Sequence, residues 1–438
     1  MRGWGDSGIR LALLDLLVLT IPAFPLTAIH AQSGSPAGPV PVERLAARRA
    51  ALVERLGRGV VVIRAAKQRS IERDYPQDSD YRESSNFFYL TGIEVPDAAL
   101  VLVARDSAPP RAILYLPARD SAAERWSGPT LQPGAESTAL TGIRDVRTAA
   151  RAEQQIAALG VPVSPDELDA AIAALRQVKD ADEVARLRRA IGITADAIKG
   201  AMAAAAPGTW EYELESFIEA AFRRKGAERL AFPSIVASGP NGTILHYDKN
   251  RRRIEAGELV IVDVGAEFGY YSADVTRTVP VSGRFTARQR KLYDLVLATQ
   301  QAAIDSVRPG TDLATLNRIA RGYMRDHSGT LCGELSCDRF WPHGLSHWLG
   351  MDVHDVGSFA RPLVPGMVLT VEAGIYLPDD SLGIRLEDDV LVTAAGHEIL
   401  SVAAPRAADD VERAMAPWRQ SFKNGGGKEF LDDEGRNP

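Results

Sequence analysis

The sequence predicts a mixed α/β (α+β) chain of two domains, a smaller N-terminal one followed by a larger one. Three observations carry this. The 438 residues exceed what one ordinary hydrophobic core holds. Short strand-like runs alternate with helix-length amphipathic stretches along most of the chain. A helix, Pro-Gly-Thr, helix pattern occurs twice, at 202–226 and 303–327, which hints at a duplicated α/β unit.

Residues 1–31 read as an export signal. Arg2 and Arg10 give a positive start, 11–21 form a short apolar run, and Ala28 to Ala31 offer a cleavage site before Gln32. The run is well short of the ~20 residues a spanning helix needs. The chain is expected to be exported, periplasmic or secreted, without stable membrane insertion. A Ser/Gly/Pro-rich linker occupies 32–41.

The smaller domain is expected over 42–176. It starts with a helix at 42–56. Strands follow at 60–63, 87–90, 99–103 and 112–116, then helices between 149 and 177. The larger domain is expected over 177–416. Asp180 with Glu183 has the capping pattern of a long helix, and Thr209 and Thr311 are expected to cap the helices after each Pro-Gly. Runs 258–267 and 270–281 read as a hairpin turning at Phe268-Gly269. Thr286 and Gln289 form a capping box. Strand runs recur at 368–372, 383–392 and 398–402. The polar tail 417–438 is expected to be disordered. Its Gly425-Gly-Gly-Lys428 lacks the strand-to-helix setting and the Ser/Thr of a phosphate loop.

A net charge of -6 without like-charge blocks argues against a nucleic-acid partner. The two cysteines, Cys332 and Cys337, share one short loop. They are too few for a structural zinc site, and export favours their joining as a disulfide.

The chemistry lies in charges that interrupt apolar strands. Asp263 breaks the run 259–264, and Asp274 sits on the second strand of the same hairpin. Burying a carboxylate costs roughly several kcal/mol unless it is paired or holds a cation. One such Asp is usually satisfied by Arg or backbone donors. Two on adjacent strands can face one point. Glu372 and Glu387 repeat the pattern in later strands, and three of the seven histidines, His343, His347 and His354, fall together. Oxygen-rich ligands with an imidazole suit Mn²⁺, Fe²⁺, Co²⁺ or Zn²⁺. Two such ions can share bridging carboxylates and an activated hydroxide, which implies hydrolysis of an acyl bond.

These blocks, 259–267, 272–278, 343–357, 371–376 and 383–389, resemble those of the Xaa-Pro aminopeptidases (aminopeptidase P), a branch of the pita-bread metallopeptidases. Residues 80–92 and 124–128 resemble that family's N-terminal domain, with Asn86 where the family often has Asp. The resemblance implies a C-terminal pita-bread catalytic domain behind a creatinase-like α/β domain. It implies two divalent metal ions, manganese first, with zinc, cobalt or iron(II) as alternatives. Asp263 and Asp274, His347, Glu372 and Glu387 would hold them, with Asp274 and Glu387 bridging. A bridging hydroxide would attack the Xaa-Pro carbonyl of peptides with proline second, and Glu372 would shuttle the proton. His246 would lie near the scissile carbonyl, and His354 would stabilise the tetrahedral intermediate. His343 would line the proline subsite, and Arg385 would support Glu387. The resemblance also implies a homo-oligomer, dimer or tetramer, in which Trp126 reaches a neighbouring subunit's site. The same fold and ligands serve prolidases, which cleave Xaa-Pro dipeptides, and pita-bread binding modules that have lost their ligands. The Ser-His-Trp around His347 leans towards the aminopeptidase. His30, His327 and His397 read as structural.

Overall fold

The computed structural model describes residues 36–67, 81–105 and 108–416. The expected export signal, the start of the linker and the tail lie outside the described residues. No described helix is long and apolar enough to cross a membrane.

The smaller unit is built on a four-stranded sheet ordered Gly59–Arg64, Ala99–Arg105, Ala108–Leu116, Asp145–Thr148. The first three pair antiparallel and the last pair is parallel. Helices Val42–Leu56, Ser85–Thr91 and Pro165–Arg176 pack together beside it. The buried Arg49 guanidinium bonds the Leu90 carbonyl at 2.7 Å and the Thr141 carbonyl at 3.0 Å. It thereby caps two helix ends, where a cation is favoured.

One expectation fails here. Residues 87–90 are not a strand but lie in helix Ser85–Thr91, which closes where Gly92 N–H reaches the Phe88 carbonyl at 2.8 Å. Four consecutive apolar residues have no period, so they do not discriminate strand from helix.

The larger unit repeats one order twice. Helices Ala181–Ala204 and Glu211–Arg224 precede a three-stranded antiparallel sheet, Val275–Pro280, Leu259–Val264, Ile235–Ser238. Helices Ala287–Ile304 and Leu313–His327 precede another, Val368–Leu377, Leu382–Thr393, Gly396–Ile399. The capping boxes at Asp180/Glu183 and Thr286/Gln289 are both present. Thr209 and Thr311 are not caps. Each turn runs one residue further, so the caps are Trp210, whose N–H is met by Glu213, and Asp312, which accepts the Thr315 N–H. Strands Leu259–Val264 and Val275–Pro280 are buried throughout. Covering both faces suits the apolar run of Leu259–Val264, which Asp263 alone interrupts, whereas Val275–Pro280 buries Thr276, Arg277 and Thr278.

The first hairpin turns through Gly269 and Tyr270, with φ of 58° and 71°, between the paired Phe268 and Tyr271. A left-handed Tyr is costly. Contacts with the smaller unit hold it: the Tyr270 ring stacks on Phe88 at 3.7 Å, and its hydroxyl bonds Glu94. The same face carries a chain of ion pairs between the units. Arg82 bonds Glu267 at 2.7 Å, and Ser85 bonds Asp352 at 2.8 Å. Arg176 bonds Asn86 and Asp352, each at 2.7 Å, and also Asp355. Lys179 bonds Asp355 at 3.0 Å. Asn86 accepts this bond without adding a third anion to the pair Asp352 and Asp355. One buried apolar cluster runs through both units, from Leu52 to Met415. Cys332 and Cys337 are joined as a disulfide.

Asp355→Asn leaves the buried Arg176 and Lys179 short of one anion. Removing one member of such a cluster costs about 3 kcal/mol or more. Urea denaturation should show that loss; an unchanged midpoint overturns the account.

Candidate metal centre

Two hairpins meet side by side. In the first, Asp263 pairs across the strands with Thr276, and Asp274 is the residue before strand Val275–Pro280. In the second, Glu372 and Glu387 are direct cross-strand partners. Alternate side chains tie the hairpins together. Thr278 Oγ1 donates to the Arg385 carbonyl at 2.9 Å and accepts the Arg385 N–H at 3.0 Å. Thr276 Oγ1 donates to Glu387 Oε2 at 2.8 Å, and Asp274 N–H reaches Asp389 Oδ2 at 3.3 Å. Residues 274, 276 and 278 thus meet 389, 387 and 385.

His347 completes the cluster. Its Nε2 lies 3.4 Å from Asp274 Oδ2 and 3.8 Å from Glu387 Oε1. One ligand atom from each of Asp274, His347 and Glu387 falls within 4.8 Å of the others. His347 Nδ1 is 3.1 Å from the Trp348 carbonyl, which can only accept. Nδ1 therefore carries the proton, and Nε2 presents its lone pair to the carboxylates.

The cluster is strongly strained by charge. Asp263, Asp274 and Glu387 are 7%, 5% and 2% exposed. Burial first, then neighbouring carboxylates, raises Asp274 and Glu387 well above the ordinary range. Burial pushes Glu372 up to about 7. Asp263 Oδ1, Asp274 Oδ1 and Glu387 Oε1 are buried without a hydrogen-bond partner. Buried polar oxygens are ordinarily satisfied by protein, water or an ion. Carboxylate oxygens beside one imidazole nitrogen fit a divalent cation, which would satisfy these atoms and cancel their repulsion.

Arg385 does not support Glu387 as expected. Its Nη2 holds Asp263 Oδ2 at 2.5 Å, and Nη1 donates to the Tyr376 hydroxyl at 3.1 Å. Arg385 and Glu387 stand side by side on one strand face, so the longer side chain passes its neighbour and reaches the strand carrying Asp263. Thr276 supports Glu387 instead. The Tyr376 hydroxyl is hydrogen-bonded to His343 Nε2 at 2.8 Å, while His343 Nδ1 lies 2.8 Å from the Gly344 carbonyl and 3.2 Å from the Trp341 indole N–H. Burial holds His343 down to about 4, so it is neutral at pH 7. The His354 ring lies 4.2 Å from that of His347. Partial burial and the imidazoles of His347 and His246 hold His354 below the ordinary range.

All nine site residues singled out from the sequence line one cavity of about 590 Å³. Its other wall is largely apolar, with Phe232, Pro233, Ile235, Leu245, Val353 and Phe359. Trp126 is elsewhere, 93% exposed on helix Glu124–Ser127. His327 stacks on Tyr323, and His397 bonds the Val307 carbonyl; neither lines the cavity. Thr276, Tyr376 and Asp389 escaped the sequence reading. Each lies two or four positions from a flagged carboxylate (Asp274, Glu372 and Glu387), so strand alternation was the available signal.

Residues 185–394 match the model of metallopeptidase family M24, and 45–163 match that of the aminopeptidase P N-terminal domain. The Xaa-Pro aminopeptidase of Escherichia coli strain K12 is 35% identical, over 85% of this chain and 97% of its own length. Human Xaa-Pro aminopeptidase 3 is 32% identical, over 76% of each. The structure of E. coli aminopeptidase P with the inhibitor Pro-Leu superposes with a TM-score of 0.80 at 34% identity. That match covers 87% of this chain and 100% of the other. With a pita-bread domain bearing this carboxylate and imidazole cluster behind an aminopeptidase P N-terminal domain, the chain belongs to the Xaa-Pro aminopeptidases of metallopeptidase family M24, and is a metal-dependent aminopeptidase.

Proposed function

We propose that the chain releases the N-terminal residue from peptides with proline in second position. Asp263, Asp274, His347, Glu372 and Glu387 hold two divalent ions, manganese first among the candidates. The observation that carries this is the meeting of Asp274, His347 and Glu387 at ligand distance beside three unpartnered carboxylate oxygens. Bound there, the ions supply Lewis acidity and an activated water.

The chain's own groups do the rest. Glu372 takes a proton from the attacking water and delivers it to the departing proline nitrogen. His354, neutral at pH 7, donates a hydrogen bond to the oxygen that gains negative charge. His246 stands beside the scissile carbonyl. His343 presents an uncharged ring face to the proline ring, fixed by Tyr376 and Arg385. Arg385 holds Asp263 in its coordinating orientation. The proposal extends to an exported homo-oligomer, dimer or tetramer, in which the exposed Trp126 reaches a neighbouring subunit.

The purified chain should cleave Arg-Pro-Pro far faster than Ala-Pro, with elemental analysis finding manganese. The reverse preference makes it a prolidase.

Asp274→Asn should lose both metal and activity, whereas His354→Ala should keep metal and lose turnover about 100-fold or more. A His354→Ala variant without metal would exchange the roles of His354 and His347.

Metal removal also sets a pH dependence. In the chelated protein Glu372 titrates near 7 rather than its ordinary 4.5, so the folded state binds more protons than the unfolded chain. Its stability should fall as pH rises from about 4.5 to about 7. Melting in excess chelator should show that fall, and melting with manganese should not.

A further inference from the structure

The segment that carries His246 has almost no regular structure. Between strand Ile235–Ser238 and the next hairpin lies only the short turn Gly239–Thr243. A single side chain gathers it. Glu211, the first residue of helix Glu211–Arg224, is fully buried and outside the cavity wall. Its Oε1 accepts the Ser238 N–H at 2.8 Å, the Ser238 hydroxyl at 2.7 Å and the Asn241 amide at 3.0 Å. Its Oε2 accepts the Tyr247 hydroxyl at 2.8 Å and the Arg252 N–H at 2.8 Å. These donors come from the start, middle and end of the segment. Tyr247 is turned towards Glu211, while its neighbour His246 lines the cavity. On the other side the segment touches the second hairpin backbone to backbone. A Cβ on Gly383 would sit 1.9 Å from the Gly242 carbonyl oxygen.

We propose that Glu211 is the positioning residue of His246: its buried carboxylate clamps the segment against strand Leu382–Thr393 and so fixes the imidazole on the cavity wall. This rests on the reading of His246 as a substrate-facing group. The role needs a carboxylate. Two oxygens with four lone pairs receive five donors, and hydrogen bonds to a charged acceptor are about twice as strong as neutral ones. A glutamine of the same size turns an N–H donor towards the Arg252 N–H, which cannot accept.

The test is a double-mutant cycle on the metal-loaded enzyme, using Glu211→Gln and His246→Ala with an Xaa-Pro-Yaa peptide. Glu211→Gln should lower kcat about tenfold, the loss of one charge-assisted hydrogen bond. KM and metal content should stay unchanged. In the His246→Ala background the same substitution should cost nothing further. Tyr247→Phe, which removes one donor, should give a smaller loss that also vanishes in that background, and it carries the cycle if Glu211→Gln does not fold. If His246→Ala turns over like wild type, the reading of His246 fails and takes the inference with it. If His246→Ala is impaired but Glu211→Gln costs as much in its background as alone, or strips metal, the inference alone fails.

Discussion

Four carboxylates crowd one buried spot, and their repulsion is the constraint around which the molecule is arranged. Asp263, Asp274, Glu372 and Glu387 sit on two hairpins whose strands are almost wholly buried. Among the described residues no cation pairs with all four; Arg385 bonds Asp263 and draws Glu372 down through space. Folding alone therefore leaves the cluster unfavourable, and a dication is its natural complement.

The surroundings keep that cluster from rearranging. Thr276 occupies one oxygen of Glu387 and leaves the other free. Arg277, fully buried, bonds the Glu387 carbonyl, Asp388 and the Ala404 and Pro405 carbonyls, and so fixes the strand that carries Glu387. Gln300 reaches Asp388 and the Val371 carbonyl from helix Ala287–Ile304. Asp263, Asp274 and Glu387 each keep one buried oxygen without a partner, between sheets that pack against their helices.

What the sequence revealed follows from where the information resides. Asp263 and Glu387 were legible because a charge inside an apolar run is anomalous wherever the chain goes. The hairpin is legible because turn chemistry is local, although its turn falls at Gly269 and Tyr270, one residue later than Phe268-Gly269. The two helix-to-sheet halves were legible as a repeat of spacing. Arg385 stands out in the sequence as a site residue, but its partner is Asp263 rather than Glu387. Alternation tells which side of a strand a residue occupies, not which neighbour a long side chain meets across the gap between two hairpins. Glu211 was invisible for the same reason: it reads as an ordinary acidic residue opening a helix, and its partners lie up to 41 residues away. Residues 87–90 failed on a different ground, because an unbroken apolar run is compatible with either periodicity.

His354 stands between Asp352 and Asp355, and both are gripped by Arg176 at the end of the smaller unit's final helix. By chain position His354 belongs to the larger unit; mechanically it is held by both. The smaller unit thus braces the loop that carries His354, one wall of the cavity. The contacts of Arg176 with Asp352 and Asp355 therefore tie the loop that carries His354 to the smaller unit, along with the apolar cluster that spans both. A chain shortened to the larger unit would lose Arg176 and, with it, both of these contacts on the loop that carries His354.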